Sequence, residues 1–440
     1  MNRLADLYPQ HLAHVSAAAD RALARAGREH LVIASGRLRY RFLDDLAYPF
    51  KANPHFKWWL PLTDAPDCWI AYTPGRRPVL VYHQPADYWH VPPADPAGYW
   101  VEHFDICVIR DPADAARHLP TDATRTALIA EADALLDGMA PDNPPAALAS
   151  LHLARTRKTA YELACLREAS LAAARAHRAA AAAFRSGASE AEIHLAYCAA
   201  AGQAEHELPY GNIIGLNEHG ATLHYQHQSR ERPAAQRSLL IDAGAEHRGY
   251  AADITRTYGN GDADFTALLE RVAHLEMALA DRVRPGQHYP DLHLDAHRGI
   301  AAILVDLGIV RASAEATVAT GITRTFFPHG LGHFLGLQVH DVAGHQKDES
   351  GALHERPADH PYLRLTRTLE AGNVLTIEPG IYFIDLLLAE LRAGPQAGLI
   401  DWQRVEHLKA FGGVRIEDDV VVTEGEPENL TRDAFRALAA

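Results

Sequence analysis

Four apolar segments of this chain each carry an acid where a strand would bury it, and any fold must expose those acids or neutralise them. Asp242 ends Ser238-Leu-Leu-Ile-Asp242, and Asp253 sits in Tyr250-Ala-Ala-Asp-Ile254. Glu378 closes Asn373-Val-Leu-Thr-Ile-Glu378, where Pro379 stops further ladder pairing. Glu417 stands in Gly413-Val-Arg-Ile-Glu-Asp-Asp-Val-Val-Val422, two residues from Arg415 and so on its face of a strand. One such acid alone reads best as a strand-end surface residue. Four of them constrain the fold much more.

Residues 239–254 read as two strands joined by a tight turn around Glu246–Gly249. Regular pairing then sets Asp242 directly opposite Asp253, with Cβ atoms about 4.5–5.5 Å apart. Two carboxylates that close repel in a partly buried site. A bound cation reconciles them; the alternative is a hairpin end with both carboxylates in water. Between the second and third acid lies Phe327-Pro-His-Gly-Leu-Gly-His-Phe-Leu-Gly-Leu-Gln-Val-His-Asp341, with His329, His333 and His340 spaced by glycines. Histidine binds metals and moves protons near neutral pH, and glycine permits close backbone approach or positive φ. In a chain with 27 histidines, a His-rich surface loop is the competing reading.

Asp242, Asp253, Glu378 and Glu417 with one imidazole make an oxygen-rich set of formal charge −4, which two divalent cations balance. Hard oxygen donors with a single histidine suit Mn²⁺ or a similar first-row ion better than a structural zinc site. Two such ions can activate water and polarise a carbonyl or phosphoryl oxygen.

At 440 residues two domains are expected. The net charge of −14 argues against nucleic acid or an anionic membrane as the main partner. The four cysteines, Cys68, Cys107, Cys165 and Cys198, are scattered without metal-type spacing and read as buried thiols of a reducing compartment. With no signal-like apolar core and no bilayer-length run, the cytoplasm is the expected location.

The first part alternates patterns. Tyr8, Leu12, Val15, Ala19, Ala22 and Ala26 keep helical spacing up to Gly27, and strands follow at 31–34, 68–72, 79–82, 106–109 and 127–130. The second and third strands flank a Thr73–Pro78 turn and suggest a hairpin. An α/β domain with a mixed sheet is expected, without GxGxxG or P-loop. The Pro- and Ala-rich stretch 139–146 precedes a boundary near Arg155–Lys158, giving domains 1–157 and 158–440. A long helix striped by Leu163, Leu166, Ala173, Ala180 and Phe184 ends at Gly187, and Ser189 with Glu192 forms a capping box for the next. Helices at 264–283 and 291–307, and strands at 238–242, 250–258, 374–378 and 413–423, make the second domain α+β and mainly antiparallel.

Taken in order, Ile-Asp-Ala-Gly, Ala-Asp-Ile-Thr-Arg, His-Gly-Leu-Gly-His, Ile-Glu-Pro-Gly and Arg-Ile-Glu-Asp resemble the metallopeptidases of the pita-bread fold, nearest to bacterial Xaa-Pro dipeptidases. The resemblance covers nearly the whole chain. Tyr48-Pro-Phe-Lys-Ala-Asn-Pro54, Leu208-Pro-Tyr-Gly-Asn212 and Gly336-Leu-Gln-Val-His-Asp341 are similar to that subgroup in particular. It implies a creatinase-like N-terminal α/β domain that helps build a homodimer and close the pocket, and a catalytic domain with a curved sheet. It also implies two Mn²⁺ ions: Asp242 chelating one, His333 and Glu378 binding the other, Asp253 and Glu417 bridging.

The implied reaction is hydrolysis of dipeptides with C-terminal proline, with organophosphate triesters as a possible side substrate. Glu378 would carry a proton from the attacking water to the proline nitrogen. His340 would sit by the scissile carbonyl, and His329 would be a substrate-side group rather than a ligand. His224 and Arg415 would meet the substrate carboxylate. Tyr210 would lie near the pocket for the N-terminal side chain, with Asp45 and Trp89 lining it. The competing readings are cleavage of longer Xaa-Pro peptides, as by aminopeptidase P, and, in a different class, an inactive peptide-binding module. A creatine-cleaving enzyme shares the fold but not the carboxylates.

Overall fold

The computed structural model describes residues 3–134 and 136–439. Two compact units make up the chain: residues 1–165 with 248–250 and 346–353, and the remaining residues from 166 onward.

In the first unit the opening helix α1 (Arg3–Ala26) buries Tyr8, Leu12, Val15, Ala19 and Ala22, the stripe expected from 3.6-residue periodicity. Five strands follow: β1 (His30–Ala34), β2 (Trp69–Tyr72), β3 (Val79–His83), β4 (Asp105–Ile109) and β5 (Thr126–Ile129). Their order is β4-β3-β2-β1-β5. The β2–β3 hairpin is antiparallel, whereas β1–β5 and β3–β4 are parallel. The sheet is therefore mixed, as the strand spacing suggested. Helices α2 (Pro54–Trp59) and α3 (Pro145–Arg155) complete the unit.

The long helix α4 (Ala160–Arg185) runs from the first unit into the second. Helix α5 (Glu190–Ala201) starts with the capping box foreseen at Ser189 and Glu192. One sheet segment orders as β10-β7-β6, with β6 (Ile213–Leu216), β7 (Ser238–Asp242) and β10 (Thr255–Gly259). Between them β8 (Glu246–His247) and β9 (Tyr250–Ala251) form a two-stranded tip. Helices α6 (Ala263–Ala280) and α7 (Tyr289–Asp306) precede the last strands, β11 (Val374–Ile377), β12 (Gly380–Tyr382), β13 (Gly413–Arg415), β14 (Asp418–Val421) and β15 (Glu428–Asn429). All strand pairs in this unit are antiparallel. One apolar core packs α4 and α5 on β6 and β7; a larger one joins α6 and α7 to β11–β14. Among the described residues no helix is long and apolar enough to cross a membrane.

Two expectations need correction. The hairpin turns at Arg248-Gly249, both at positive φ, the pair of left-handed residues that a tight two-residue turn demands. The register therefore slips by two, and Asp242 faces Thr255 rather than Asp253. A two-residue slip preserves the face, so the acids remain on one side as diagonal neighbours. The 413–423 strand is also broken: Ile416 and Glu417 fall between β13 and β14, and Glu417 instead bridges to Thr255.

Candidate metal centre

The histidine–glycine segment works as an added strip along β11. Thr376 N donates to His333 O at 2.9 Å and Glu378 N to Leu331 O at 2.9 Å, while Phe334 bridges to Leu375. Gly332 makes this approach possible, since a Cβ there would lie 2.1 Å from Thr376 O. None of Gly330, Gly332 and Gly336 has positive φ, so close packing is what the spacing glycines supply. His333 and Glu378 are thereby placed together, with His333 Nε2 3.8 Å from Glu378 Oε1 and 3.3 Å from Asp253 Oδ2.

Asp242, Asp253, His333 and Glu417 are all buried, and Glu378 is largely so. Asp253, His333 and Glu417 each offer an atom within 4.8 Å of the others. Tyr210 ties in Asp242: its hydroxyl lies 2.7 Å from Asp242 Oδ1 and 2.6 Å from Asp253 Oδ1. One phenolic proton thus serves two carboxylates. On the far side, Arg415 Nη2 donates to Asp242 Oδ2 at 2.6 Å, Nη1 to the Tyr382 hydroxyl at 2.8 Å and Nε to Thr255 Oγ1 at 3.1 Å. Glu417 accepts from Thr255 Oγ1 at 2.6 Å.

The electrostatics show a site short of positive charge. Burial raises Glu417 well above the usual carboxylate range, and Asp253, Glu378 and Asp242 add to it. Burial likewise raises Asp242, against the pull of Arg415, and takes Glu378 up to about 7. For Asp253 burial acts in the same sense, but His333 outweighs it and holds the carboxyl low. His333 is itself raised: the carboxylates of Asp253 and Glu378 overcome burial. His333 Nδ1 lies 2.9 Å from Phe334 O, which orients Nε2 toward the acids, as a metal-binding imidazole requires. Carboxylates in excess of their donors, with one oriented imidazole, fit a divalent cation.

A cavity of about 470 Å³ opens on these groups; its walls include His224, His329, His340, Arg364 and Arg415. His329 is fixed in its neutral form. Its Nδ1 lies 2.8 Å from Gly330 O, and its Nε2 lies 2.8 Å from the Tyr382 hydroxyl. Burial and the Arg415 charge push it down to about 3. His340 stands edge-on to His333 with ring centroids 4.4 Å apart, and burial followed by His333 lowers it to about 4. His224 is exposed on the cavity rim. Asp45 and Trp89 belong to the first unit, where both are exposed.

Three residues at the centre went unmarked in the sequence. Tyr382 links Arg415 to His329, and Thr255 meets both Arg415 and Glu417. Asp419 accepts from Asp253 N at 3.2 Å. For Asp419 a signal existed, three consecutive acids within an apolar run; Thr255 and Tyr382 are ordinary strand residues and carried none.

Comparisons with known proteins agree with this architecture. The family described as Xaa-Pro dipeptidase, N-terminal domain, matches residues 6–153, and metallopeptidase family M24 matches residues 164–424. The chain is 53% identical to the Xaa-Pro dipeptidase of Xanthomonas axonopodis pv. citri (strain 306) over 435 residues, 99% of each chain. It is 51% identical to that of Stenotrophomonas maltophilia (strain K279a) over 432 residues, 98% of each. Among solved structures, E. coli aminopeptidase P with the inhibitor Pro-Leu superposes with a TM-score of 0.73 at 23% identity, covering 98% of this chain and 95% of that one. Pseudomonas aeruginosa aminopeptidase PepP gives 0.72 at 23% identity, covering 97% and 98%. At that identity the two structures speak for the fold alone.

Proposed function

The chain belongs to metallopeptidase family M24, among the bacterial Xaa-Pro dipeptidases, and from that premise we propose that it hydrolyses dipeptides with a C-terminal proline using two Mn²⁺ ions per subunit. The observation that carries this reading is that Asp242, Asp253, His333, Glu378, Glu417 and Arg415 all line one cavity. Asp242 would hold one ion, His333 and Glu378 would hold the other, and Asp253 and Glu417 would be shared between them. When bound, the ions supply Lewis-acid polarisation of the scissile carbonyl and lower the pKa of the attacking water.

The chain's own groups do the rest. Arg415 has five N–H donors, three of them engaged with Asp242, Tyr382 and Thr255. The remaining two take the substrate's carboxylate, with His224 beside them, and so favour dipeptides over longer chains. Glu378 accepts the proton of the attacking water on a carboxylate oxygen and delivers it to the prolyl nitrogen as the bond breaks. His340 is placed to donate to the scissile carbonyl oxygen. His329, satisfied at both nitrogens, acts on substrate through the Tyr382–Arg415 chain that it anchors. Tyr210 shapes the pocket at the N-terminal side chain and holds Asp242 and Asp253 in position.

Residues 158–440 form the catalytic domain in this reading, and 1–157 serve dimerisation and pocket closure. Support comes from surface that water should not favour: Phe42 and Leu43 are each 91% exposed and Trp89 78% exposed in the first unit. A homodimer in the cytoplasm that covers this surface brings Asp45 and Trp89 to a pocket. Organophosphate triesters are a side substrate, since activated water also attacks phosphorus.

The test is Mn²⁺-dependent hydrolysis of Ala-Pro beside Ala-Pro-Ala. Ala-Pro should be cleaved and the tripeptide spared. Preference for the tripeptide would assign an aminopeptidase P-type activity instead. Cleavage of neither, with metal bound, would leave an inactive peptide-binding module.

A further inference from the structure

Helix α7 carries His293 and His297 four residues apart, so both rings project from one face. His360, from a later segment, meets them there. The three ring centroids are 4.5–4.7 Å apart, and one nitrogen of each ring lies within 4.8 Å of the other two. His293 and His297 are each 1% exposed. Among the described residues neither nitrogen of His293 has a hydrogen-bond partner, and neither does Nε2 of His297. Buried polar nitrogens are nearly always satisfied. Three imidazoles turned on one another with unused nitrogens are therefore a poor arrangement for packing alone.

Their protonation state suits a metal, which binds neutral imidazole. Burial, followed by the neighbouring rings, pushes His293 down to about 2. Burial, His360 and Arg324 push His297 down to about 3, and burial lowers His360 as well. Arg324, the nearby cation, is 3.5 Å from Asp359 Oδ2. A cavity of about 250 Å³, lined in part by Arg324, Asp359, His360 and Tyr362, reaches the outermost of the three rings.

We propose that His293, His297 and His360 form a second metal site, distinct from the acid-rich centre, that takes Zn²⁺ through three neutral imidazoles and one water. Three nitrogen donors without a carboxylate select zinc-like ions over manganese, the reverse of the preference at the acid-rich centre. Thr323 Oγ1 lies 2.9 Å from His297 Nδ1; with Nδ1–H donating to it, Nε2 is left for the ion. Zn–N bonds of about 2.0–2.1 Å place ligand nitrogens about 3.4 Å apart, so binding draws the rings together. Phe327 packs its ring 5.1 Å from that of His297 and 4.7 Å from that of His329, which puts the second site one aromatic ring behind the catalytic cavity.

The test uses the full chain, stripped by chelator and dialysed against rising Zn²⁺, with bound zinc per chain counted by elemental analysis. His360→Ala and His293→Phe should each hold one zinc fewer than wild type. Glu417→Gln, which damages the acid-rich centre, should keep a zinc that is lost when His360→Ala is added. His360 is only half-buried, so His360→Ala is the safer variant, and circular dichroism checks its fold. Equal zinc counts in folded wild type and His360→Ala would overturn the proposal. Loss of Ala-Pro hydrolysis in wild type would sink the dipeptidase reading and leave this site untouched.

Discussion

Glu417 and Asp418 are neighbours in the chain and both are buried, yet they belong to clusters balanced in opposite ways. Asp418 accepts from Arg256 Nη2 at 2.7 Å, Arg432 Nε at 2.6 Å and Asn429 Nδ2 at 2.7 Å, and Arg432 also pairs with buried Glu276. Two acids there meet two arginines. Burial would raise Asp418, but Arg256 and Arg432 hold it below the usual range. On the metal side four carboxylates share Arg415, His333 and the hydroxyls of Tyr210, Thr255 and Thr376. The first cluster is neutralised by the chain itself. The second keeps its charge deficit for cations arriving from solution, which is how a fold reserves a metal site.

The largest effect expected from breaking this contrast is chemical. Glu417→Gln should cut kcat/KM on Ala-Pro by about 10³-fold or more and lower bound Mn²⁺ per chain, since a carboxylate proposed to hold both ions is lost. Asp418→Asn should leave the metal count at the wild-type value. Steady-state kinetics with elemental analysis decides; a Glu417→Gln enzyme with two ions and normal turnover would break the ligand assignment.

Stability should then move in opposite directions in the two variants. In chelated protein Asp418→Asn removes a buried acid shared by two partly buried arginines, a loss of about 2 kcal/mol once their exposure and remaining partners are discounted. Glu417→Gln removes a carboxylate that burial and its neighbours already disfavour, so it should stabilise the chelated protein. Urea unfolding in the presence of chelator measures both. The same sign for both variants would show that the clusters are not balanced differently.

The pH profile of chelated protein sharpens the point at a smaller scale. A carboxyl raised on folding contributes stability below its unfolded value, about 4.3 for Glu, and loses it as pH rises through the folded value. For Glu378 that window runs up to about 7. Chelated protein should therefore lose stability over it, at up to about 1.4 kcal/mol per pH unit for one proton. Asp418 has the opposite sign: its contribution is present above the unfolded value, about 3.9, and fades as pH falls through its lower folded value. Bound Mn²⁺ should reverse the slope near neutrality, because ligands must be deprotonated to bind. Thermal midpoints with chelator and with Mn²⁺, from pH 4 to 8, test it.

How much of this was legible in the sequence follows from the range of the interactions. The four acids stood out because acids on apolar strands violate a local rule, and a violation is visible in one chain; the choice of His333 among three histidines came from the family resemblance. The faces were also readable, since side-chain alternation needs only parity. Register was not: choosing Arg248-Gly249 as the turn over the preceding pair depends on backbone angles that the pattern does not contain. Partners were hidden for a different reason. Arg256 and Asp418 lie 162 residues apart, and nothing local says that this acid accepts from two arginines while the Glu417 carboxyl accepts from a threonine hydroxyl. The same limit concealed the three-histidine cluster, where two members share a helix and the third arrives from residue 360.

The smallest effect concerns Arg415, the arginine bonded to Asp242 on the metal side. Arg415 is buried and bridges Asp242, Tyr382 and Thr255, so part of its role is to position the site and part is to meet substrate. Lysine keeps the charge but loses the planar fork. It can hold Asp242 or the substrate carboxylate, though not both with the same geometry. Arg415→Lys should therefore lower kcat/KM on Ala-Pro by about 10-fold, mostly through KM, while metal content stays at the wild-type value. The split separates the roles. A fall confined to kcat would mean that Arg415 acts through Asp242 and His329 alone. Unchanged kinetics would remove it from the carboxylate pocket and turn attention to Arg364, the other arginine in the cavity wall.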